Sequence, residues 1–362
     1  MKYKIERSAK PAYLQIYEQL RADIVNGIYG YCSKIPSKRL LAEETGISVI
    51  TIEHAYALLQ EEGYIEAKER SGYFVSYRDT DSFASGCGKR GMRNVVREAF
   101  DVTHDFPFSV MAKIIRKTLS DYGEGIFAKS PNGGCFDLRF ALSQYLERSR
   151  GVHAAPTQIF IGSGAEYLYG LIVDMLGRDL VYATERPSYE KIEQVYRACG
   201  VTCETLPLGS EGIESDYLIK TEASVLHITP YRSYPSGVTA SASKRREYIY
   251  WAKQGKRFIV EDDFESEFTL SSKPEETLFS LSNDDNIIYL NTFSKTISPS
   301  LRIAYMVLPL SLVPLYEQKV GFYSCTVPTF EQCVLTQLIQ GGDFERHINR
   351  IRRAKRRQMG KV

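Results

Sequence analysis

Lys295 is the side chain in this sequence best placed to do covalent chemistry. It stands in I-Y-L-N-T-F-S-K-T-I-S-P-S-L-R-I-A-Y-M-V-L-P, residues 288–309, where two apolar β-type runs flank a polar segment. Buried strands end and begin there, which puts the lysine at a strand edge over a cleft. A lysine in such a place loses solvation and its pKa falls, and an amine that is neutral part of the time condenses with aldehydes. Thr292, Ser294 and Thr296, with Arg302 seven residues beyond the lysine, supply hydroxyls and a cation for a phosphate. Lysine, hydroxyls and arginine together suit an aldehyde that carries a phosphate, which describes pyridoxal 5'-phosphate (PLP). Spacing alone leaves a second reading open, a surface lysine in a Ser-rich loop.

The elements that would position this segment are short apolar strands alternating with helices. The strands are expected at Gln158–Gly162, Leu180–Thr184, Val225–Thr229, Phe258–Asp262, Ile287–Asn291 and Ile303–Leu308. That alternation predicts an α/β domain with a mainly parallel sheet, whose ligands bind beyond the carboxyl ends of the strands. Two further features fall at such ends. Gly162-Ser163-Gly164-Ala165-Glu166 joins a strand to a helix, and free amides at a helix N-terminus attract phosphate. Glu261-Asp262-Asp263-Phe264 places carboxylates where one can pair with a protonated pyridine nitrogen; Asp262 is preferred, with Asp263 the alternate.

The segment T-F-S-K-T-I-S-P-S-L-R-I-A-Y resembles the Schiff-base segment of fold-type I PLP proteins. It is closest to the branch fused to a DNA-binding domain, the MocR-type regulators of the GntR family. The resemblance implies a fold-type I aminotransferase-like domain with PLP joined as an imine to Lys295. It makes Gly164 and Ala165 the phosphate-binding amides, and Tyr189, in E-R-P-S-Y, the ring that stacks on the pyridine. Thr229-Pro230-Tyr231-Arg232-Ser233-Tyr234-Pro235-Ser236-Gly237 is similar to a family segment in which Asn or Gln faces the cofactor's phenolic oxygen. That position is Ser233 here, a shorter donor. The family usually has Tyr where Phe264 stands, so electronic tuning of the cofactor is expected to be impaired. Phe344 to Arg353 resembles the helix leading into the small C-terminal domain of this fold, which the sequence largely lacks: it is expected to be C-terminally short, without the arginine that clamps a substrate carboxylate.

Residues 1–78 follow another plan. Tyr13, Leu14, Ile16, Tyr17, Leu20, Ile24 and Val25 recur at helix spacing after Pro11. Ser37 caps a second helix with Leu40, Leu41 and Ala42 on its inner face, and Ser48 caps a third running to about Glu62. Tyr64–Ala67 and Tyr73–Val75 read as strands around the tip Arg70-Ser71-Gly72. Helix, helix–turn–helix and hairpin make a winged helix–turn–helix, whose last helix enters the major groove while the wing approaches the backbone or minor groove. P-A-Y-L-Q-I-Y-E-Q-L, I-P-S-K-R-L-L-A, T-I-E-H-A-Y-A-L-L-Q-E-E-G-Y-I and S-G-Y-F-V resemble the GntR winged helix across residues 10–76. The family usually has a basic residue just after the serine that starts the recognition helix, but Val49 and Ile50 follow Ser48 here. Lys38, Arg39, Ser48, Thr51, Arg70 and the Gly72 backbone remain as DNA-contacting candidates, several of them for phosphate only.

Composition sets the frame. A chain of 362 residues, 43% hydrophobic and 25% charged, is long enough for two or three ordinary globular domains. The N-terminus has no apolar signal-peptide region and no run reaches the length of a membrane span, so a cytoplasmic protein without a membrane partner is expected. Seven cysteines, at 32, 87, 135, 199, 203, 325 and 333, show neither C-x-x-C nor zinc spacing; reduced, mostly buried thiols and no metal are expected. Arg346–Val362 holds eight Lys or Arg and no acid, read as a solvated basic helix face with non-specific nucleic-acid binding as the alternative, while residues 1–78 carry 11 basic and 10 acidic side chains. DNA affinity must therefore come from placement of charge and not from its excess. The domains read as 1–78 winged helix, 79–100 linker and 101–362 PLP-binding domain. The function expected is a regulator that binds an operator as a homodimer and senses an amino compound or PLP. A transaminase with an accessory head, or a regulator that no longer binds PLP, is the alternative.

Overall fold

A computed structural model describes residues 3, 5, 10–69, 71–78, 106–264, 266–269 and 275–359. The chain divides into two compact units, residues 1–100 and 101–362. The expected linker at 79–100 and Arg70 at the wing tip lie outside the described residues.

In the first unit, α1 (Ala12–Val25), α2 (Lys38–Thr45) and α3 (Val49–Glu61) precede an antiparallel hairpin of β1 (Ile65–Lys68) and β2 (Gly72–Val75). The two expected caps form: Ser37 Oγ accepts from Leu40 N and Ser48 Oγ from Thr51 N, each at 3.2 Å. Such caps satisfy amides that the helix itself leaves open. Ile16, Leu20, Ile24, Leu41, Ile52, Tyr56, Leu59, Ile65 and Val75 form one core. Tyr56 donates to Pro36 O at 2.6 Å, fixing α3 against the turn before α2. Leu40 is not on the inner face: it is exposed, because the helix turns it away from Leu41 and Ala42.

The second unit is an α/β sandwich. Its elements are α4 (Phe108–Tyr122), α5 (Phe136–Arg150), β3 (Ile159–Gly162), α6 (Ala165–Leu176), β4 (Val181–Arg186), α7 (Glu190–Ala198), β5 (Thr202–Gly209), β6 (Gly212–Ile213) and α8 (Ser215–Lys220). They continue with β7 (Val225–Ile228), α9 (Ala242–Lys253), β8 (Phe258–Asp262), α10 (Leu278–Leu281), β9 (Ile287–Thr292), β10 (Ala304–Val307), α11 (Val313–Lys319), α12 (Thr329–Gln340) and α13 (Asp343–Met359). The sheet order is β3-β10-β9-β8-β7-β4-β5-β6. Strands β9, β8, β7, β4 and β5 run parallel, while β10 is antiparallel to both β9 and β3. β3, β7, β9 and β10 are buried along their whole length, as strands covered on both faces must be. Adjacent residues enter different cores: Ile259 packs with Trp251 and Tyr248, Val260 with Leu168 and Ile172. β5 and β6 were not among the strands expected from sequence; Thr202–Gly209 is mostly half-buried and lacks a clean apolar run.

The cysteines are less hidden than expected. Among the described ones Cys333 is buried, Cys135, Cys199, Cys203 and Cys325 are partly exposed and Cys32 is exposed. None of these six forms a disulfide. No described helix is long and apolar enough to cross a membrane.

Candidate cofactor site

A cavity of about 290 Å³ opens beyond the carboxyl ends of β4, β7, β8 and β9. It brings together Ala165, Tyr189, Asp262, Thr292, Ser294, Lys295 and Arg302, which lie up to 137 positions apart in the chain. Phe264 also lines it, and as expected from the sequence it brings no hydroxyl there.

Lys295 is exposed, not buried as expected. It follows the end of β9 in a turn whose polar side opens to solvent, and it makes no hydrogen bond or ion pair with any described residue. The turn itself is fixed from below. Thr296 is buried and its carbonyl accepts from His347 Nε2 of α13 at 2.9 Å. Thr296 therefore faces inward and does not join the hydroxyl cluster. Thr292 and Ser294 do: Thr292 Oγ1 donates to Ser294 Oγ at 3.1 Å.

The two candidate carboxylates separate cleanly, because consecutive residues at a strand end point to opposite sides. Asp262 lines the cavity. Asp263 faces the other way and is fully buried in a pair with Arg150 Nε at 2.8 Å, with Tyr289 donating to it at 2.7 Å. Asp262 Oδ2 accepts from the Tyr169 hydroxyl and lies 3.6 Å from His227 Nε2. His227 is itself held by Tyr196, whose hydroxyl is 2.7 Å from Nδ1. Burial, then the neighbouring Asp262, pushes the Tyr169 phenol well above its ordinary range, so it stays a donor. Asp262 Oδ1 is buried and has no hydrogen-bond partner among the described residues. A buried carboxylate oxygen without a donor is costly.

The start of α6 forms another wall of the cavity. Gly164 caps that helix with φ +98°, a conformation glycine adopts without strain. A Cβ there would lie 2.8 Å from Arg302 Nη2, so the missing side chain is what lets the guanidinium reach the helix N-terminus. Gly164 is thus beside the cavity, and Ala165 lines it. Glu166, next in line, was not anticipated. Its Oε2 pairs with Arg302 Nη2 and its Oε1 with Lys191 Nζ at 3.2 Å. Partial burial pulls the Glu166 pKa up, but the bonds from Arg302 and Lys191 outweigh this and hold the carboxyl below its ordinary value.

Ser233 does not line the cavity. It is buried, and its hydroxyl donates to Glu185 Oε1, as does that of Thr229. Burial pushes Glu185 up to about 7, and the hydroxyls partly offset that shift. A buried carboxyl takes whatever donors stand near it, and this one takes Ser233. Thr229 and Tyr234 line the cavity from the same loop, with the Tyr234 ring 6.5 Å from that of Tyr189.

Sequence reasoning missed Tyr169, His227, Glu166, Thr229 and Tyr234. Two signals were available. Tyr169 lies one helical turn after Ala165, and His227 is the single polar residue in the apolar strand V-L-H-I.

In the first unit, Lys38 Nζ is engaged by Glu53 of α3 at 2.6 Å and sits 5.5 Å over the Tyr73 ring, so it is not an unpaired cation for DNA. Arg39 is exposed and has no partner among the described residues. Ser48 Oγ and Thr51 Oγ1 are 2.8 Å apart at the start of α3. Gly72 opens β2 with φ +104°, and a Cβ there would come 3.1 Å from Lys34 Cε.

Residues 12–75 match the family model for bacterial regulatory proteins of the gntR family, and residues 102–359 match that for aminotransferase class I and II. The chain is 31% identical over 358 residues to the Bacillus subtilis uncharacterized HTH-type transcriptional regulator YdeL, covering 96% of this chain and 77% of that one. It is 27% identical to the probable rhizopine catabolism regulatory protein MocR of Rhizobium meliloti, covering 95% and 74%. Among solved structures it resembles the Pyrococcus horikoshii kynurenine aminotransferase in complex with PMP, with a TM-score of 0.63 and 26% identity. That likeness covers 69% of this chain and 64% of the aminotransferase, so the chain spans under two thirds of that structure.

Proposed function

Since the chain belongs to the aminotransferase class I and II family, in the MocR-type branch where a gntR-family domain precedes that fold, we propose that it is a PLP-binding transcriptional regulator. Residues 1–78 bind an operator, 79–100 link, and 101–362 hold the cofactor and sense PLP or an amino compound. The observation that carries this reading is that one cavity is lined by Lys295, Asp262, Arg302 and the start of α6 together.

The residues fit PLP. Lys295 Nζ, unengaged by any described residue, is the amine for its aldehyde. Arg302, the Ala165 amide at the start of α6, and the Ser294 and Thr292 hydroxyls suit its phosphate. Tyr189 is the ring available to stack. Asp262, oriented by the Tyr169 hydroxyl, would hold a proton on the pyridine nitrogen. When bound, PLP supplies an electrophilic carbon for amines and an electron-withdrawing ring. Ligand control of DNA binding requires that the ligand bind two conformations unequally. A homodimer would present two winged helices to paired half-sites.

The test is reduction with borohydride in the presence of PLP, followed by peptide mass analysis. A mass increase on the Lys295 peptide, with a visible absorption band that Lys295→Ala abolishes, is the expected result. An unchanged Lys295 peptide refutes the proposal. Sustained keto-acid production from several amino donors would make the second unit an enzyme and not a sensor.

A further inference from the structure

The helix that should read bases carries no cation. α3 contains neither Lys nor Arg. Its inner side is Ile52, Ala55, Tyr56 and Leu59. At helical spacing on the opposite side stand Ile50, Glu53, His54 and Ala57, all exposed. In the first turn Ile50 is 66% exposed and Val49 43%.

The polar groups around that turn are partly engaged: Ser48 Oγ accepts from Thr51 N and shares one hydrogen bond with Thr51 Oγ1. Glu53, which could accept from a cytosine amino group, is held by Lys38 at 2.6 Å. Recognition helices contact base edges with their N-terminal residues. The apolar group that a base edge offers in the major groove is the 5-methyl of thymine. We infer that α3 reads thymine methyl groups through Ile50, with Val49 beside it. The half-site is then specified by thymine where a cation-bearing helix would select guanine. Arg39, exposed and unpaired among the described residues, supplies a backbone contact that positions the helix without reading sequence. This inference rests on the reading that residues 1–78 bind duplex DNA.

The experiment uses the full chain and a pool of random duplexes. Bound duplexes are recovered and sequenced, and each thymine of the recovered half-site is then replaced singly by deoxyuridine. Loss of the methyl at one or two positions should weaken binding about four-fold each, the effect of one buried carbon. Ile50→Ala, a surface change whose folding is checked by circular dichroism, should narrow the difference between thymine and uracil duplexes. Ile50→Arg should shift the recovered base at that position toward guanine. If every uracil duplex binds within two-fold of its thymine parent, the methyl reading is wrong while DNA binding stands. A pool that yields no bound duplex overturns both.

Discussion

Glu166→Gln should tighten PLP binding, although it removes a polar charge from the site. Arg302, the cation proposed for the phosphate, is paired in the structure with Glu166, whose other oxygen holds Lys191. A phosphate that takes Arg302 must share the guanidinium with a carboxylate, and two anions about one cation repel each other. Two unit charges 4 Å apart interact by about 1 kcal/mol in water and about 4 at an effective dielectric of 20. Arg302 is 52% exposed and Glu166 26%, so screening keeps the value near the lower limit. A penalty of about 1–2 kcal/mol corresponds to roughly 5–30-fold in dissociation constant. Glutamine keeps the shape and one acceptor oxygen for Lys191 while removing the charge. The assay is titration of the full chain with PLP, followed by its absorption and by quenching of protein fluorescence. Inorganic phosphate is added as competitor, and it should also compete better against PLP in the variant. Unchanged or weaker binding by Glu166→Gln would show that Glu166 supports the site and does not compete with its ligand.

Asp262→Asn keeps an acceptor for Tyr169 but removes the charge, and should weaken PLP by roughly 10–100-fold, a charge-assisted hydrogen bond of about 1.5–3 kcal/mol; equilibrium dialysis measures it. Arg150→Met leaves Asp263 buried without its cation and should destabilise the fold by about 3–5 kcal/mol in urea unfolding. Burial raises Glu185, Glu261 and Glu267 from the ordinary 4.5 to about 7 each. Raised carboxyls bind protons in the folded state, so their contribution is complete below the unfolded pKa and is lost as pH climbs through about 4.5 to 7. The thermal midpoint should fall from about pH 5 to about pH 8. Glu267→Gln, at a carboxyl with one oxygen unpartnered among the described residues, should flatten that slope; a midpoint that rises over the same range contradicts the assignment.

Much of the molecule is fixed by local pattern. Ser37 and Ser48 before apolar periodicity give the helix starts of the first unit, and continuous apolar runs such as Ile287–Thr292 give strands buried on both faces. Strand ends then place Lys295, Asp262, Tyr189 and Ala165 near one edge of the sheet, because parallel strands share a direction. What the pattern could not supply is which neighbour each polar atom finds. Asp262 and Asp263 are equivalent in sequence, and only the side of the strand makes one a cavity residue and the other the partner of Arg150. Ser233 is lost to Glu185 and Lys38 to Glu53, from residues 48 and 15 positions away. Lys295 remains in water because the turn beneath it, tied to His347, faces outward. Hydrophobic periodicity is a property of a few consecutive residues, whereas solvation and pairing of a charge depend on everything folded around it.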